Sequence, residues 1–116
     1  MYIYRFRPGY GSNEFLLEFT KNAGSEEFYL DLFDAFSSIN CKTKVIEDEW
    51  NDDELVMQIN ADIGTFELSQ DSQNTVFILT EDSQQGLKLL EELLQNNQNF
   101  SREDVNHKRY SKTENH

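Results

Sequence analysis

Residues 43–61 read TKVIEDEWNDDELVMQINA, and the alternation within them decides the fold. Leu55, Met57, Ile59 and Ala61 fall on one side of an extended chain, and Val56, Gln58 and Asn60 fall on the other. A period of two with one apolar side belongs to a half-buried strand. Thr43–Glu49 and Glu54–Ala61 therefore predict a hairpin around the acidic stretch Glu47–Glu54.

The same signals recur on the N-terminal side. Tyr2, Tyr4 and Phe6 alternate with Ile3, Arg5 and Arg7, and Pro8–Asn13 has the chemistry of a turn. Phe15, Leu17 and Phe19 then supply a hairpin partner, which Asn22-Ala23-Gly24 ends. Ser25 suits a helix N-cap, and Glu26 and Glu27 sit where the helix dipole favours negative charge. Phe28, Leu32, Ala35, Phe36 and Ile39 follow at helical spacing, which predicts an amphipathic helix over Ser25–Ile39.

On the C-terminal side, Asp62-Ile63-Gly64 reverses the chain and Thr65–Ser69 places Phe66 and Leu68 on one face. Thr75–Thr80 is apolar without alternation, as in a central strand. Asp82 and Gln85 have capping-box spacing, and Leu87, Leu90 and Leu94, flanked by Leu89 and Leu93, form a stripe over Gln84–Asn96. Gly86 within that helix costs about 1 kcal/mol relative to alanine. Beyond Asn97 the apolar residues Phe100, Val105 and Tyr110 are spaced too widely for a core. The expectation is one α+β domain over residues 1–97 with a polar, flexible tail at 98–116. Its order is β-β-α-β-β-β-β-α, an antiparallel sheet of about five to six strands with two helices on one face.

Composition narrows the function. The formal net charge is −12, yet residues 1–21 and 101–116 each sum to +1, so the middle carries −14. Between Lys44 and Lys88 stand eleven carboxylates and no Lys or Arg. Such a field repels phosphates and anionic lipid, so direct nucleic-acid or membrane binding is disfavoured. Cys41 is alone, which forbids an intrachain disulfide, and nothing approaches the ~20 apolar residues of a membrane span. A cytoplasmic protein is expected.

No motif carries catalysis. The carboxylates of Glu47–Glu54 stand on a hairpin tip, where solvent keeps them ordinary, rather than in a cleft that separates their pKa values. An EF-hand counted from Asp48 puts Trp50 at the third position and Asp53 at the glycine position, so the match fails. Cys41 lacks a positioned base, since His107 and His116 fall in the expected tail, and reads as a small buried hydrophobe. No enzyme, metal or cofactor is expected.

What remains is a surface. Glu47, Asp48, Glu49, Asp52, Asp53 and Glu54 surround Trp50, the one tryptophan. The plain interpretation makes the acids a solubility device and Trp50 a cap on the core. The functional one makes Trp50 an aromatic anchor ringed by charge, as at a protein–protein hot spot. Clustering of one sign favours the second, because surfaces usually mix both. The expectation is a small acidic inhibitor, monomeric or weakly dimeric, that binds a basic protein. Bacterial immunity proteins that block nucleic-acid-acting toxins fit that description as a functional class. The alternatives are a nucleic-acid mimic and an acidic secretion-type chaperone. The latter would expose an apolar patch, with Tyr2, Tyr4, Phe15 and Phe19 on an uncovered sheet face.

Overall fold

The computed structural model describes residues 1–9, 13–49 and 54–104, giving the backbone alone at 46–49 and 54. Strands β1 (Tyr2–Pro8) and β2 (Phe15–Lys21) form the first hairpin, followed by helix α1 (Glu26–Ala35) and a 3-10 turn at Ser37–Ile39. Then come β3 (Lys42–Glu49), β4 (Glu54–Ala61), β5 (Gly64–Gln70) and β6 (Val76–Leu79), helix α2 (Gln84–Gln95) and β7 (Phe100–Arg102). The described strands make one sheet in the order β3-β4-β5-β6-β2-β1-β7.

The class is α+β with two helices, as expected, but the sheet corrects two particulars. It has seven strands, and it is mixed, because β7 pairs parallel with β1 while the other neighbours are antiparallel. The extra strand is Phe100-Ser101-Arg102, too short and polar to show a period. Its register comes instead from Phe100, which is 5% exposed and lies 5.1 Å, ring to ring, from its strand neighbour Tyr2.

Two crossovers place the helices. The connection β2–α1–β3 runs one way across the sheet, and β6–α2–β7 runs the other. Their starting strands, β2 and β6, are antiparallel neighbours. Two crossovers of the same hand, leaving antiparallel strands in opposite directions, must lie on the same face. Both helices do. Phe28, Leu32 and Phe36 of α1 and Leu87, Leu90 and Leu94 of α2 share one core with Tyr4, Leu17, Phe19, Ile59, Phe66, Leu68, Val76 and Ile78.

That arrangement overturns the placement of aromatics on an open face. Tyr2, Tyr4 and Phe19 are buried under the helices, with Phe28 5.2 Å from Tyr2 and 5.3 Å from Phe19 by ring centroid. Phe15 is half-buried against Phe6. The opposite face carries half-buried Leu16, Val56, Phe77 and Leu79, and the ion pair of Arg7 with Glu18 at 2.8 Å. β6 is the fourth strand of seven, which explains its unbroken apolar run: Val76 and Ile78 enter the core while Phe77 and Leu79 are half-buried behind it.

Helix starts follow local chemistry unequally. Ser25 Oγ accepts from the Phe28 N–H at 3.1 Å, the cap the sequence predicts. The capping box at Asp82 does not form. Ser83 is the N-cap of α2, and its hydroxyl accepts from the Thr65 N–H instead of from its own helix. Gln84 reaches across to β2, accepting from the Phe15 N–H and donating to the Phe15 carbonyl. Tertiary partners displaced the local motif.

Candidate functional site

The acidic hairpin occupies one edge of the sheet. β3 is the outermost strand on that side, and its last pairs with β4 are Glu47↔Val56, Asp48↔Leu55 and Glu49↔Glu54. The register shifts between Val45 and Glu47, so Ile46 is the extra residue of a bulge. Of the seven candidate binding residues, Glu47, Asp48, Glu49 and Glu54 therefore lie at one corner of the sheet. Trp50, Asp52 and Asp53 lie outside the described residues. Lys42 and Lys44, both exposed, stand at the other end of β3.

The register also divides the eleven-carboxylate run, which the sequence presents as one block. β4 leads away from the hairpin and β5 returns to it, ending where Gln70 pairs with Leu55. Asp71 is thus at the hairpin's end of the sheet. It already accepts from the Gln73 and Thr75 N–H groups, a role in turn structure. Asp62 sits at the opposite end, where it accepts from Asn40. Glu81 and Asp82 follow β6 at that same far end, and with Glu67, Gln58 and Leu79 they line a shallow groove of about 450 Å³. Among the described residues, then, Glu47, Asp48, Glu49, Glu54 and Asp71 lie at the hairpin's end of the sheet, Asp62, Glu81 and Asp82 at the other, and Glu67 midway along β5.

A second polar groove, about 530 Å³, lies beside the start of α1 among Tyr2, Asn22, Ser25, Glu27, Asp31 and Asn99. Tyr2 donates to Asp31 at 2.6 Å. That bond, reinforced by burial and by the nearby Glu27 charge, pushes the Tyr2 hydroxyl up to about 12. A phenol so held is a donor and not a base.

The buried polar groups are spoken for. Glu91, 6% exposed within the leucine stripe of α2, accepts from the Tyr4 hydroxyl at 2.7 Å and from Arg102 at 3.4 Å. Burial first, and then that bond, raise the Tyr4 hydroxyl far above its ordinary value. Arg7, 6% exposed, donates to Glu18 and to the Pro8 carbonyl. The signal for Glu91 is its position: four residues after Leu87 and three before Leu94, it falls on the buried side of the helix. Cys41 is half-buried against the core, with its thiol pushed up by burial and by the Asp62 charge. It is the opposite of an activated nucleophile. Among the described residues, no three His, Cys, Asp or Glu side chains gather where they could hold a metal ion, and no helix is long and apolar enough to cross a membrane.

No protein-family model matches this chain, and neither a curated protein nor a solved structure matches it significantly.

Proposed function

We propose that this protein is a small acidic binding protein that neutralises a basic partner, in the manner of an immunity protein blocking a nucleic-acid-acting toxin. One observation carries the proposal. The densest acidic stretch of the sequence, Glu47–Glu54, connects the edge strand β3 to its neighbour β4 at a corner of the sheet, where no other described strand lies beyond β3. A protein that binds nucleic acid holds Lys and Arg in a groove shaped for phosphates, and an acidic hairpin at a sheet edge matches such a groove in sign. Charge of this kind accelerates encounter, while an aromatic anchor such as Trp50 slows dissociation. The action is blockage, without a chemical step. The chaperone alternative has less support, because Tyr2, Tyr4 and Phe19 are buried beneath helices.

The test is capture from the source cell on immobilised protein, beside the variant Asp52→Lys/Asp53→Lys/Glu54→Lys. A basic protein is expected to be retained by the wild type, released by salt, and lost by a variant whose circular dichroism is unchanged. Equal retention by both forms would exclude the hairpin tip as the binding surface.

A further inference from the structure

We infer that the outer edge of β3 is a self-complementary surface, through which two copies of this chain pair antiparallel into one continuous sheet. β3 has no neighbour on its outer side among the described strands. Its sequence, KTKVIEDE, is basic in the first half and acidic in the second. An antiparallel copy about a dyad at Val45-Ile46 therefore sets Lys42 opposite Glu49 of the second copy, and Lys44 opposite Glu47 of the second copy. The dyad repeats both pairs.

The bulge makes this geometry possible. In a regular strand, residues an odd number apart fall on opposite faces, so position 42 could not meet position 49 across a two-fold axis normal to the sheet. The extra residue at Ile46 shifts the alternation by one. Lys42 and Lys44 pair with Asn60 and Gln58, while Glu47 and Glu49 pair with Val56 and Glu54. All four β4 partners belong to the alternation that faces away from the helices, so these four positions of β3 form one row. Thr43, Val45 and Asp48 pair with Ile59, Met57 and Leu55 and form the other row. Opposite residues of the two copies then match in face as well as in charge.

Val45 supplies a separate pointer. It aligns with the core-facing Met57 yet is 53% exposed, one of few large apolar side chains left open. At the dyad it would meet its counterpart. Lysines and a bulge on an edge strand ordinarily deter a neighbour. Here they deter a parallel strand, which brings like charges together, and admit an antiparallel copy.

Sedimentation or light scattering from about 10 μM to about 1 mM tests this. The wild type is expected to move from 13.7 kDa toward twice that mass, less readily at high salt. Lys42→Glu/Lys44→Glu and Glu47→Lys/Glu49→Lys are each expected to raise the dimer dissociation constant at least about tenfold. An equimolar mixture of the two variants should dimerise again, a rescue that loss of folding cannot imitate. A wild type fixed at 13.7 kDa, variants that dimerise undiminished, or natively folded variants that fail to pair when mixed would each overturn the inference. Glu47 and Glu49 belong to both surfaces, but no basic partner is present in these measurements, so their failure is distinct from a failure of the proposed inhibitory role.

Discussion

Gly86 looks like a defect in the sequence and is a requirement of the structure. Alanine there should add about 1 kcal/mol to α2 by propensity alone. Yet a Cβ at this position would stand 2.3 Å from the Ile63 carbonyl oxygen and 3.0 Å from the Phe66 ring, because α2 crosses the β4–β5 turn at close range. Overpacking of that kind costs about 1–3 kcal/mol. Gly86→Ala is therefore expected to lower the urea midpoint, and a raised midpoint would mean that the turn yields easily. The residue scale gives similar lessons elsewhere. Ser25 was legible as a cap because its partner is three residues away. The Tyr4 partner of Glu91, on β1, was not, because no local pattern encodes a contact across 87 residues of chain.

At the scale of elements, β7 tests how the sheet is completed. Phe100 packs near Tyr2, Phe19 and Phe28, and backbone bonds from the Tyr2 N–H to the Asn99 carbonyl and from the Glu103 N–H to the Tyr4 carbonyl fix the strand at both ends. Phe100→Ala is expected to cost about 3–5 kcal/mol in equilibrium unfolding. A loss below 1 kcal/mol would match a residue in a polar tail. Strands with several alternating residues, such as Leu55–Ala61, announced themselves in sequence. A three-residue parallel strand cannot, since its pairing is decided by where the crossover from α2 delivers it. The hairpin shows the same division: its alternation was readable, but the bulge at Ile46 and the edge position of β3 were not.

For the molecule as a whole, three tyrosines tie the layers together. Tyr2 joins β1 to α1 through Asp31, Tyr4 joins β1 to α2 through Glu91, and Tyr29 joins α1 to β5 through Gln70. Each hydroxyl is raised from its ordinary 10, to about 12 for Tyr2 and, by burial, for Tyr29, and further for Tyr4. Raised folded values mean that the native state holds protons the unfolded chain releases. The stabilisation is thus complete below pH 10 and is lost as pH climbs from about 10 through about 12. Urea unfolding should show stability falling across that window, with phenolate absorbance appearing together with loss of circular dichroism. Stability unchanged up to pH 12 would contradict it. The sequence by itself determined the α+β class, the two amphipathic helices and the acidic hairpin, because period, caps and charge density are local properties. Only the tertiary structure decided that the sheet is mixed, which face the aromatics take, and that Asp62, Glu81 and Asp82 lie at the end of the sheet away from the hairpin. Those outcomes depend on the direction in which each crossover returns the chain, and contacts between distant segments settle that direction.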